Sequence, residues 1–149
     1  MLHFEGAKEF SKSSAELWSK LSDARFLVQC IPDVQKVTQA EKDIAGWVLR
    51  PGFAFVRGTL DMTMRITEAV PEKSIRVTVL SKGIGSSSTV EASLSCTPIE
   101  AGTQVHWAAD VKEMGGLLKA VPQGLIQAAA QKVIADVWTA IEGKINSAS

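Results

Sequence analysis

Val56-Arg57-Gly58-Thr59-Leu60-Asp61-Met62-Thr63-Met64-Arg65-Ile66-Thr67 alternates apolar or glycine positions with charged and hydroxyl ones at a period of two. Successive side chains of a strand point to opposite faces, so Leu60, Met62, Met64 and Ile66 share a dry face while Asp61, Thr63, Arg65 and Thr67 share a wet one. A long, half-buried strand is expected, and a sheet with one apolar face needs a cover.

Three more segments repeat the pattern downstream: Ile75, Val77, Val79, then Val90, Ala92, Leu94, Cys96, then Val105, Trp107, Ala109, Val111. Turn signals at Pro71-Glu72-Lys73, Gly83 to Ser88 and Ala101-Gly102 separate them, which reads as hairpins in series with a flexible loop at 83–88. Upstream, strands are expected at Val34–Ala40 and Ile44–Arg50, joined across Glu41-Lys42-Asp43. Before them, Ser13-Ser14-Ala15-Glu16 has the spacing of a capping box and opens a helix presenting Leu17, Trp18 and Leu21. A second short helix spans Ala24 to Cys30 and stops before Pro32. Leu2 to Phe10 reads as a first strand with an irregularity near Gly6-Ala7.

After Gly115-Gly116 the period becomes helical. Leu118, Val121, Leu125, Ala129, Val133, Val137 and Ile141 form a stripe, widened by Ile126, Ile134, Trp138 and Ile145, with Pro122 and Gly124 marking where the regular helix begins. So broad a stripe needs a concave partner. The expected architecture is α+β over 1–149 as one domain: a seven-stranded curved antiparallel sheet, two short helices after strand 1, and one long C-terminal helix. Such a sheet closing on one helix leaves an apolar pocket near the helix's first half.

Composition agrees with one globular domain. Apolar residues make up 46% and charged residues 21% of 149, enough to bury a core. Lysine plus arginine equals aspartate plus glutamate at 16 each, so no summed field draws in nucleic acid. Cys30 and Cys96 show no metal-ligand spacing and read as small apolar core residues in a reducing, cytoplasmic setting. The opening Met1-Leu2-His3-Phe4-Glu5-Gly6 has no basic region followed by an apolar stretch, so no secretory signal is expected. Lys119, Gln123, Gln127, Gln131, Lys132 and Asp136 interrupt the segment Leu117 to Ile145, so no integral membrane segment is expected.

Several local strings add a resemblance. Phe4-Glu5-Gly6, Cys30-Ile31-Pro32, Val56-Arg57-Gly58-Thr59 and the amphipathic C-terminal helix are similar to the carbon monoxide dehydrogenase G-subunit family, within the START-like and polyketide-cyclase-like helix-grip superfamily. The resemblance covers nearly the whole chain and implies a ligand-binding or accessory protein. It also implies a partner, a molybdenum-containing carbon monoxide dehydrogenase-type redox complex, and peripheral membrane association through that partner. Arg50-Pro51-Gly52-Phe53-Ala54-Phe55 is a more aromatic version of a stretch that is usually Gly-Pro centred in that family.

Catalysis by proton transfer needs a titratable group facing the pocket. On the four best-defined strands the inward parity carries only apolar residues or glycine, whereas Arg57, Asp61, Arg65, Arg76, Glu91, His106 and Asp110 take the outward parity. His3 and His106 read as solvent-facing, and neither a nucleophile–base pair nor a metal-ligand cluster appears in the spacing. Gly83-Ile84-Gly85-Ser86-Ser87-Ser88 lacks the pattern and the following helix of a phosphate loop. No catalytic, metal or cofactor residue is therefore assigned.

Met62 and Met64 with Trp47, Phe53, Phe55 and Trp107 are either plain core or the walls of a site for a flat or elongated apolar molecule. The expected lining is completed by Leu60, Val77, Val79, Val90, Leu94, Leu118, Val121 and Leu125. The function expected from this lining is non-catalytic binding or carriage of a hydrophobic small molecule such as a lipid, isoprenoid or quinone-like compound. The alternatives are an assembly or docking factor for the redox enzyme and, more weakly, a cyclase- or hydratase-like enzyme.

Overall fold

Strand β1, His3–Phe10, leads into helix α1, Ser14–Leu21, and helix α2, Ala24–Val28. The computed structural model describes residues 2–50, 58–83 and 85–147. The Ser13 hydroxyl accepts from the Glu16 N–H at 3.2 Å, satisfying one orphan donor of the first turn of α1. Asp23 caps α2 in the same way, accepting from the Arg25 N–H at 2.9 Å while the Arg25 guanidinium returns to its carboxylate at 2.7 Å. Helix α2 ends at Val28, two residues before the expected Cys30, because Gln29 to Ile31 close on turn-type i to i−3 bonds ahead of Pro32.

The remaining strands follow in series: β2 Val34–Ala40, β3 Ile44–Leu49, β4 Leu60–Val70, β5 Ser74–Gly83, β6 Ser86–Ile99 and β7 Gly102–Gly116. Among the described residues they form one seven-stranded antiparallel sheet in the order β1-β7-β6-β5-β4-β3-β2. Strands β6 and β7 run to 14 and 15 residues, longer than their apolar alternation alone marks out. The pairing Gly83↔Ser86 closes a tight turn where the sequence suggested a loop over 83–88. Gly85 at φ 67° and Gly116 at φ 65° make this possible, and a Cβ on Gly116 would stand 1.7 Å from the Gly85 carbonyl oxygen. The irregularity expected near Gly6-Ala7 is absent from the pairing, which runs unbroken from His3↔Asp110 to Phe10↔Thr103.

A 3-10 turn at Leu117–Ala120 precedes the long helix α3, Gln123–Ser147. Pro122 thus lies just outside α3, where its missing N–H is harmless. The main core fills the space between the sheet, α1, α2 and the second half of α3, with Leu17, Leu21, Ala45, Ile75, Val105 and Ile145 almost wholly excluded from water. Phe53, Phe55, Val56 and Arg57 fall outside the described residues.

Candidate functional site

The buried apolar side chains of the described residues fall into two clusters. The larger is the core under α1 and α2; the smaller gathers Leu2, Phe4 and Val111 beneath the first half of α3, with Val90, Met114, Ile126 and Ala130 around it. Trp107 and Ile134 pack against both clusters. At that junction a cleft of about 420 Å³ opens between the edge strand β1 and α3. Its apolar walls are Phe4, Trp107, Ile134 and Trp138, and the Trp107 and Trp138 rings lie 6.2 Å apart at 37°.

Burial falls along the sheet toward the first half of α3. On the inward rows Met64, Ile75, Val77, Cys96 and Val105 are buried, whereas Met62, Val79, Val90, Ala92 and Leu94 are only half-buried. The facing helix shows the same gradient, from buried Trp138, Ile141 and Ile145 to half-buried Ile126, Ala129, Ala130, Val133 and Ile134. Apolar side chains normally reach full burial in a packed interior; Leu2, Phe4 and Val111 do so at this end, so the loose filling is confined to the half-buried residues of the middle strands and the turns of α3 that face them.

Of the expected lining, Trp107 stands on the cleft. Trp47, Met64 and Val77 belong to the main core, and Met62, Val79 and Leu94 pack against it partly buried. Val90 packs on the smaller cluster. Leu60, Leu118 and Val121 are half-buried at the end of the sheet where the Gly83 to Ser86 turn meets the 3-10 turn, and Leu125 is 51% exposed. Phe53 and Phe55 lie outside the described residues.

The rim of the cleft is polar, which the strand parities alone do not reveal. Gln127 and Gln131 contribute it from α3, and His3, Glu5 and Lys8 from β1. Lys8 shares the inward parity of Phe4 and Phe10, and its Nζ reaches Glu142 of α3 at 3.3 Å. His3 donates from Nδ1 to Asp110 at 2.5 Å and from Nε2 to Glu5 at 2.9 Å. Hydrogen bonding to Glu5, then to Asp110, pushes the His3 pKa above 6.5, and the same contact lowers that of Glu5 below 4.5. With both ring nitrogens turned to carboxylates, His3 in its charged form has no lone pair to act as a base. It is a clamp between β1 and β7 at the edge of the cleft.

Two further polar groups sit on the inward face. Ser81 is buried and its hydroxyl meets that of Ser88 directly across the β5–β6 pairing. Sequence periodicity does not mark them, because the loop expected over 83–88 takes in Ser88, and Ser81 is a polar residue following Val79, the last apolar position of its row. Among the described residues no group of three or more histidine, cysteine or acidic side chains is arranged to hold a metal, and no helix is long and apolar enough to cross a membrane.

A seven-stranded antiparallel sheet, two short helices after its first strand and a long closing helix define a START-like helix-grip fold. The fold matches a conserved protein from Geobacillus kaustophilus at a TM-score of 0.85 and 26% identity, covering 98% of this chain and 96% of that one. It also matches a START superfamily protein from Mycobacterium smegmatis at 0.70 and 13% identity, over 99% of both chains. A Rhodobacter sphaeroides protein matches at 0.63 and 17%, over 99% and 94%. The chain belongs to the CoxG family, the carbon monoxide dehydrogenase G-subunit family, whose model matches residues 6–146. No curated protein matches it. Family and fold together point to a ligand-binding or accessory role.

Proposed function

We propose that this chain binds and carries a hydrophobic small molecule, of the lipid, isoprenoid or quinone-like kind, in the apolar space between the sheet and the first half of α3. The observation that carries this reading is the 420 Å³ cleft at the junction of the two apolar clusters, with Trp107 and Ile134 common to both. A cleft of this size suits a ring system or the end of a chain, and aromatic walls supply most of the attraction. Met62, Val79, Val90 and Leu94, half-buried beside it, are the sheet residues proposed to meet the rest of the ligand. Trp47, Leu60, Met64, Val77, Leu118, Val121 and Leu125 complete the proposed surroundings, with Phe53 and Phe55 assigned from sequence alone.

Non-catalytic binding is the form of this proposal supported by the electrostatics. The titratable groups on the cleft, His3, Glu5 and Lys8, are each held in an ion pair: His3 with Glu5 and with Asp110 beyond the cleft, and Lys8 with Glu142 beyond it. Titration with N-phenylnaphthylamine, a neutral dye that brightens in apolar sites, tests the reading. Saturable uptake of one dye per chain is expected, abolished by Ala135→Trp, which places an indole in the cleft without touching the buried core. Unsaturable uptake, or uptake unchanged by Ala135→Trp, would count against it.

A second reading rests on family membership: an accessory or docking factor for a carbon monoxide dehydrogenase-type enzyme. Such a role uses the outer surface and is compatible with carriage. Retention of the enzyme's subunits on the tagged chain from native extract is its test, and their absence under conditions that keep the ligand bound counts against it.

A further inference from the structure

Helix geometry places an unexpected residue over the cleft. Gln127 and Ile145 are 18 residues apart, about five full turns, and Gln127 and Trp138 are 11 apart, about three, so all three leave α3 in nearly the same direction. At Trp138 and Ile145 that direction meets the sheet and is 5% and 1% exposed. At Gln127 it meets the cleft, and Gln131, one turn on, lines the same opening. Both side chains are exposed at the mouth of the cleft and neither amide is hydrogen-bonded to another described residue, so both are open to a ligand, whereas the charges on β1 at this cleft are each matched by an opposite charge. A primary amide offers two donors and an acceptor and no charge.

We propose that Gln127 and Gln131 hold the polar end of the ligand, and that the site takes amphiphiles with a neutral carbonyl or hydroxyl head in preference to a carboxylate or phosphate. The inference rests on the carrier reading. A head held by these exposed amides keeps part of its water, but an ionised one finds no unpaired cation to offset the water it gives up beside Phe4, Trp107 and Trp138. A carbonyl or hydroxyl exchanges water for the amides at little net loss.

The test uses decanol and decanoate, chain-matched probes with neutral and ionised heads, titrated calorimetrically at ~pH 8, well above the carboxylate range. The chain is expected to bind decanol at least ~10-fold more tightly than decanoate. Gln127→Ala with Gln131→Ala should weaken decanol by about 10-fold and leave decanoate unchanged, since two modest hydrogen bonds are lost from one probe alone. Gln131→Lys, which adds an unpaired cation, should raise decanoate affinity relative to decanol. Circular dichroism checks that the variants keep the fold. Binding of neither probe would overturn the carrier reading together with this inference. Binding of both that no glutamine substitution alters, or a wild-type preference for decanoate, overturns the inference alone.

Discussion

The indole of Trp107 lies against Gly6 of the neighbouring strand, with its Nε1 and Cζ2 each 2.9 Å from the position a Cβ on Gly6 would take. The two residues are paired across β1 and β7, and the missing side chain is what lets the ring reach from β7 over the edge strand to the cleft. Gly6→Ala is therefore expected to destabilise. Forcing a methyl into an occupied place costs about 1–3 kcal/mol, which outweighs the roughly 0.4–1 kcal/mol gained by stiffening the unfolded chain. Urea unfolding measures it. Adding Trp107→Phe should recover part of the loss, and strict additivity of the two changes would contradict the contact.

Position on the sheet decides the outcome of adding a charge. Met64 is 5% exposed within the main core, so Met64→Arg is expected to unfold the chain or cost more than ~4 kcal/mol. Leu80 lies on the opposite face at 47% exposure, and Leu80→Arg should shift stability by no more than about 0.5 kcal/mol. Thermal unfolding of the two proteins compares them directly, and similar losses would mean that the faces are wrongly assigned.

His3 gives the edge strand a pH dependence. Its pKa is raised above 6.5, so its stabilising effect is complete below 6.5 and fades as pH rises through the raised value. Glu5 is lowered from 4.5, so its share is present above 4.5 and lost as pH falls through the depressed value. The Tm difference between the wild-type chain and His3→Gln should be widest between these two limits and shrink in alkaline solution. A difference that stays constant into the alkaline range would show that the His3 contacts with Glu5 and Asp110 do not form in solution.

The sheet was legible in the sequence because its signal is local. Residues Leu60 to Ile66 alternate strictly, and the structure pairs them with β3 and β5 as that alternation requires, Ala45↔Met64↔Val79 sharing one face. Helix α3 was legible as an element, bounded by Pro122, but not in its orientation along its length. A row of residues four apart turns about 40° per step around a helix of 3.6 residues per turn. The row through Ile141 that is buried at one end has therefore rotated off the sheet by Leu125, which is half exposed; Ile126 and Ala130 pack on the sheet there instead, and Gln127 lies exposed at the mouth of the cleft. Lys8 and His3 were hidden for a different reason: their roles depend on which distant residues, Glu142 and Asp110, the closed fold brings to them. Cleft walls assembled from β1, β7 and α3 have no contiguous signature.

Native mass spectrometry of the chain as purified, followed by solvent extraction, asks whether an apolar molecule travels with it. A mass above that of the bare polypeptide by one small molecule, extractable into organic solvent and missing from Ala135→Trp, is the predicted result. A bare polypeptide mass in both proteins, from a chain that also fails to take up added N-phenylnaphthylamine, would contradict carriage.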